Sequence, residues 1–197
     1  DEGILRPSDV GRTKGYFDLP TSAGTGVIFA STSVVTVTDV TDPETTIIGT
    51  LRAGESATLL AGSLVAGDIL QFRARGTFTS ADSDWSNSVM RFKVGSLTLT
   101  FTFAESDSYT PSGYLWDLSI DLTIVTPGAS AAIISTGRLD YEYRDAGGVN
   151  RMFLFAPSVE SGFLNTTGSN LVDLTWDNNM AGGQMTVTCR HAVLKKI

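Results

Sequence analysis

The sequence predicts an all-β protein, an antiparallel jelly-roll-like β-sandwich with an extended N-terminal arm, on three observations. From residue 34 onward, apolar and polar residues alternate with a period of two in run after run, the pattern of strands with one face in a core and the other in water. Short segments bearing Gly, Pro and Ser separate the runs and supply turns. No segment sustains the 3.6-residue period of a helix; residues 55–61 allow a single helical turn at most.

The elements follow in order. Residues 1–33 mix Gly, Pro and charge without a sustained period, and they carry Arg6, Arg12 and Lys14. They are expected to form an attachment arm, because Ile4, Leu5, Tyr16 and Phe17 would be wasted on a free tail; the competing reading is a flexible terminus. Residues 34–197 are expected to form the sandwich. After Gly67-Asp68, Leu70, Phe72, Ala74, Gly76 and Phe78 take one face, and Gln71, Arg73, Arg75, Thr77 and Thr79 the other. Met90, Phe92 and Val94 alternate with Arg91 and Lys93; Gly95-Ser96 turns the chain into Leu97, Leu99, Phe101 and Phe103, which alternate with threonines. That arrangement reads as a hairpin. Trp116, Leu118, Ile120, Leu122 and Ile124 mark a long strand ending near Pro127-Gly128. Leu139, Tyr141 and Tyr143 mark the next, and a loop from Asp145 to Gly148 leads into residues 151–155. Val172, Leu174 and Trp176, then Met185, Val187 and Cys189, mark the last two. About ten strands without an internal repeat indicate a sandwich rather than a propeller or solenoid.

A chain of 197 residues is long enough for one such domain to bury its core without metal or disulfide support. Its net charge of −7 disfavours nucleic acid, whose phosphates reward clustered Lys and Arg, and anionic membranes alike. It favours solubility in many displayed copies. Cys189 is the only cysteine, so there is no internal disulfide framework, and folding in a reducing cytoplasm is expected. No stretch has the length of a membrane-spanning helix, and the opening DEGILRPSDV lacks a signal-peptide pattern.

The inventory for chemistry is short. His191 is the only histidine, so any triad would need it. On an unbroken strand it would share a face with Cys189 and Val193, and its expected role is structural. One Cys and one His do not make the usual zinc site. Asp82 and Asp84, Glu105 and Asp107, and Asp39, Asp42 and Glu44 cluster in loops but match no EF-hand spacing, so solvated turns are expected. The tripeptide Asn165-Thr166-Thr167 matters only in a secretory pathway. No catalytic residue, metal or cofactor is expected. Trp116 and Trp176 share the parity of core residues, leaving Trp85, beside Asp82 and Asp84, as the exposed aromatic of a candidate glycan-binding loop. Arg73, Arg75, Arg91 and Lys93 on outward faces, and Asp117, Asp121, Asp140 and Glu142 on others, are expected to form cross-strand or intersubunit ion pairs, or simply a charged surface that blocks edge aggregation.

Five segments carry a family resemblance: AGSLVAGDILQFRARGTFT, MRFKVGSLTLT, GYLWDLSIDLTIVTPGASAAIISTGRL, LNTTGSNLVDLTWD and MTVTCRHAVL. In order and spacing they resemble a recurrent module of bacteriophage virion proteins, found at the ends of tail fibres and appendages and in head fibres or decorations. The shared features are the Gly67-Asp68 turn, the Lys93-Val94-Gly95 turn, the strand opened by Trp116, and the Asn-Thr-Thr segment before Leu174-Thr175-Trp176. The resemblance covers about two thirds of the chain from residue 59. It implies a jelly-roll-like structural domain, often trimeric and without enzymatic residues, on the virion surface. Expected partners are other copies of itself and the major capsid or tail proteins. With no long fibrous shaft ahead of the module, a capsid decoration or head fibre is the leading expectation. The alternative is a receptor- or glycan-binding tip, with host-surface glycan as its partner.

Overall fold

The computed structural model describes residues 26–39, 44–80, 88–103, 112–145, 148–156, 164–178 and 185–197. These form twelve strands: β1 (Gly26–Ala30), β2 (Val35–Asp39), β3 (Thr45–Thr46), β4 (Thr58–Leu59), β5 (Ile69–Ser80), β6 (Val89–Val94), β7 (Leu97–Thr102), β8 (Tyr114–Thr126), β9 (Ala132–Asp145), β10 (Gly148–Ala156), β11 (Asn170–Asp177) and β12 (Met185–Lys196). They make two antiparallel sheets packed as a sandwich. The seven-stranded sheet runs β1-β12-β5-β8-β9-β10, with β2 also on β12. The five-stranded sheet runs β3-β11-β6-β7, with β4 also on β11. The chain passes from β5 in the first sheet to β6 in the second, and from β11 back to β12. Because β12 pairs with β5 and β11 with β6, two neighbouring strands of one sheet are joined to two neighbouring strands of the other, the jelly-roll-like part of the topology. In contrast, β8, β9 and β10 form a plain meander.

The period-two pattern dictates the packing. Among the described side chains, the inward residues expected on the long strands are buried, from Leu70 and Phe72 through Trp116, Ile120 and Ile124 to Trp176, Met185 and Val187. The sheets meet through rings: Phe72 of β5 lies 4.6 Å from Phe92 of β6, centroid to centroid. Phe103 lies edge-on to Tyr141 at 4.7 Å and to Trp176 at 5.4 Å. Burial of each large apolar side chain contributes about 1.5–3 kcal/mol, and edge-to-face geometry adds to it.

Two glycines are dictated by space. Gly95 turns the β6–β7 hairpin at φ 56°, a left-handed value that favours glycine. At Gly76 the backbone is crowded: a Cβ there would stand 1.8 Å from the Thr188 carbonyl oxygen and 2.7 Å from the Trp116 ring.

Three expectations are corrected. Residues 26–33 belong to the sandwich and not to an arm. Strand β1 pairs with β12, Phe29 is fully buried, Glu55 accepts a hydrogen bond from the Ala30 amide at 2.6 Å, and Ser31 Oγ accepts one from Ala192 N at 2.8 Å. The apolar Val27-Ile28-Phe29 run is short and carries a bulge, which hides its alternation. Residues 55–61 hold no helical turn but the two-residue β4 on β11; their backbone is satisfied by cross-strand bonds such as Val172 N to Ala57 O at 2.7 Å. The strand count exceeds ten because β3 and β4, at two residues each, are too brief to show a period.

Replacing Gly76 by Ala is expected to destabilise the fold by about 3 kcal/mol or more, since the obstructing atoms include backbone. Urea unfolding followed by tryptophan fluorescence measures it; a midpoint within error of wild type would contradict the crowding at this position.

Candidate functional site

Chemistry on the described residues is confined to the two outward faces and one buried pair. On the five-stranded sheet, Arg91 and Lys93 of β6 stand in register with Thr175 and Asp173 of β11. Glu44, just ahead of β3, joins them. Lys93 Nζ lies 2.6 Å and Arg91 3.4 Å from its carboxylate, and Arg91 also meets Asp177 at 2.9 Å. Thr175 Oγ1 donates to Glu44, and Thr46 Oγ1 donates to Asp173 at 2.7 Å. Partial burial opposes the charge on Glu44, but hydrogen bonds from Lys93 and Thr175 and the charges of Lys93 and Arg91 outweigh it. They hold its carboxyl below the usual range. Asp173 is pushed the other way, chiefly by burial. This face is a closed network of partnered charges.

The buried pair is Lys196 with Asp68. Lys196 is only 4 % exposed, yet its ammonium lies 2.6 Å from Asp68 Oδ2 and donates to the Ser63 carbonyl at 2.9 Å. The same carboxylate oxygen accepts the Val65 amide at 2.7 Å. The end of β12 is thereby locked to the turn that launches β5.

The outward face of the seven-stranded sheet is different. Arg73 and Arg75 of β5 lie beside Asp117 and Asp121 of β8, and those beside Arg138, Asp140 and Glu142 of β9. Arg73 reaches Asp121 at 3.2 Å, and Arg138 reaches Asp140 at 2.5 Å. Arg75 and Asp117 are in register yet form no ion pair; their charged ends flank an open groove that Leu115, Asp140, Glu142 and Arg190 also line. Burial, then the facing charge of Asp140, raises the Asp117 carboxyl above its ordinary value.

Of the residues singled out from the sequence, Ile4, Leu5, Tyr16, Phe17, Asp82, Asp84 and Trp85 lie outside the described residues, as do Asp42, Glu105 and Asp107. Trp116 and Trp176 are buried in the core. The expected shared face of Cys189 and His191 is corrected. A bulge at Arg190 inserts one residue, pairing Cys189 with Gly76 and His191 with Arg75. Cys189 therefore faces the core, where burial pushes its thiol up to about 11, while His191 lines the outer groove with Val193. Among the described residues, no three His, Cys, Asp or Glu side chains converge as metal ligands. Two segments carrying the family resemblance do meet: Gly128 N donates to Thr166 Oγ1 at 2.7 Å, and Ala131 bridges to Leu164.

Sequence reading missed Lys196 and Arg190, and its expectation of a solvated turn at Glu44 is corrected by the pairing of that carboxylate with Lys93, Arg91 and Thr175. Lys196 left a signal, because it falls at the inward parity of Ala192 and Leu194, where a charge needs a buried partner. Glu44 left none, since its partners lie 49 and 131 residues away. Comparisons with protein-family models, curated proteins and solved structures return no match.

Two outcomes follow. Lys196→Met leaves a buried carboxylate without its cation and is expected to cost about 3–5 kcal/mol, measured by urea unfolding; a loss under 1 kcal/mol refutes the pair's role. For Glu44, whose folded value is lowered, the stabilisation is complete above the unfolded value near 4.5 and disappears as pH falls through the lower folded one. Stability measured from pH 7 to pH 2.5 should therefore fall less steeply in Glu44→Gln, which starts from a lower value at neutral pH. Matching slopes would show that Glu44 carries no such linkage.

Proposed function

We propose that this chain is a bacteriophage virion structural protein, a surface-exposed capsid decoration or head-fibre-type module. In this reading it is non-enzymatic, is made in the host cytoplasm, and is held on the particle by the residues ahead of Gly26 through contacts with major capsid or tail proteins. It works as a homo-oligomer, a homotrimer in the leading version. The observation that carries the reading is the ordered set of segments resembling the phage module, from the Gly67-Asp68 turn to the last strand.

The sandwich is compatible with that role. Its strands are long, and Arg73, Arg91, Lys93, Arg138 and Lys196 pair with carboxylates of the same chain. The lone histidine and lone cysteine face opposite sides of β12, which removes the simplest nucleophile–base pair. A net charge of −7 suits a protein crowded at high local density.

Particles purified by density gradient from lysates of a phage carrying this gene test the proposal. Peptides of the chain are expected in the particle's mass spectrum, and antibodies to the purified protein should label intact particles in electron micrographs. A chain confined to the soluble lysate, with unlabelled particles, would overturn it.

A further inference from the structure

We propose that the outward face of the seven-stranded sheet docks onto a second copy of this chain, its cationic half against the copy's anionic half. The proposal deepens the oligomeric part of the virion reading by naming the surface, but it stands on the charge layout alone.

The layout is bipolar. Among the described side chains, strands β12 and β5 present Arg73, Arg75, Arg190 and Lys195 outward and no carboxylate, while β8 and β9 present Asp117, Asp121, Asp140 and Glu142 with one cation, Arg138. Some of these charges neutralise within the chain, Arg73 on Asp121 and Arg138 on Asp140. The side chains of Arg75, Arg190, Lys195 and Asp117 make no ion pair or hydrogen bond among the described residues. The like-charged Asp117 and Asp140 are directly opposed across the β8–β9 ladder, an arrangement that costs stability and that Arg138 on Asp140 and the charges of Arg75 and Arg73 near Asp117 offset only in part. Arg75 and Asp117 both line open grooves on this face, which leave room for side chains from a facing surface.

A surface that carries both signs in adjacent columns is complementary to itself. A two-fold axis along the strands between β5 and β8 places each cationic column on the partner's anionic one; a three-fold axis parallel to the strands does so with each half-face meeting a different neighbour. Four strands about 4.8 Å apart, each about 40 Å long at the rise of extended chain, cover roughly 750 Å², the area each partner contributes to a standard interface. Leu115 and Ile134, both about half exposed on this face, supply apolar contact toward its two ends. A nucleic acid or an anionic membrane would be repelled by the acidic half. Trp116 and Tyr141 line the groove but are buried, so they offer a sugar no open ring face to stack on.

The test is native mass and sedimentation of the full chain, at low salt and at 1 M salt. The wild type is expected as a multimer of 20.9 kDa chains, about 63 kDa if three, which loosens at 1 M salt because exposed charges are then screened within about 3 Å. Arg75→Glu with Arg190→Glu, and separately Asp117→Lys with Asp140→Lys, should each weaken association about 100-fold while circular dichroism stays that of the wild type. Mixing the two variants should restore association as a one-to-one pair of about 42 kDa, since each then offers the other its complement, whereas a ring of three would keep one like-charged interface. A wild type that remains monomeric at high concentration, a multimer that either variant leaves intact, or a mixture that stays monomeric overturns the assignment. A monomeric protein that nonetheless labels particles would sink the docking face and leave the virion reading standing.

Discussion

The fold depends on one layer of apolar side chains shared by two sheets, with Phe72 against Phe92 at its centre. A strand sends alternate side chains to opposite faces, so a core on one side fixes what the other side must be. Once Leu70, Phe72, Ala74 and Phe78 face inward, Arg73 and Arg75 must face out, and a slip of one residue would bury both guanidiniums. Register is therefore set by the cost of misplacing charge as much as by the gain from packing rings. The same constraint explains why chemistry on the described residues sits on the two outer faces, with Lys196 and Asp68 as the exception. That pair is tolerated because two further polar groups, the Ser63 carbonyl and the Val65 amide, converge on it.

The two outer faces handle their charges by different rules. On the five-stranded sheet, Glu44 arrives from outside the ladder and gathers Lys93, Arg91 and Thr175 around one carboxylate. Ion pairs of this exposure are worth about 0–1 kcal/mol each, so the network sets register and docks the chain ahead of β3 more than it stabilises. The seven-stranded sheet leaves part of its charge without partners and opposes Asp117 to Asp140. Burial and that opposition raise the Asp117 carboxyl, so its ionised form works against the isolated fold at neutral pH. A face that retains such a cost is better matched to something that covers it than to open water.

How much of this was legible in the sequence follows from the range of each signal. The long strands were legible because alternation is local: residues 69–80 declare their faces without reference to any partner. The β6–β7 hairpin was legible because Gly95-Ser96 sits between two such runs. Features that depend on distant contacts were not. Two-residue strands such as β4 exist only because β11 supplies hydrogen bonds to them, and β1 joins the sheet through a bulged pairing with residues near the end of the chain. The outward charges of the candidate face could be assigned to a side, but which column lies beside which is decided by topology. That arrangement is what turns a scattered charged surface into a bipolar one.

The bulge in β12 shows how a single residue couples core and surface. Without it, Cys189, His191 and Val193 would share one face, and either the thiol would leave the core or the imidazole would enter it. Inserting Arg190 restores the inward parity for Ala192 and Leu194, both buried, and keeps Cys189 inside. The inserted residue itself has nowhere to go but outward, and its guanidinium lines the groove beside Arg75. Bulges twist a strand and re-aim its side chains; this one lies where the Thr188 carbonyl presses against Gly76, so the backbone that makes the bulge also requires the glycine opposite. The extra cation on the outer face and the missing side chain in the core are thus two consequences of one local distortion, and neither can be altered without disturbing the other.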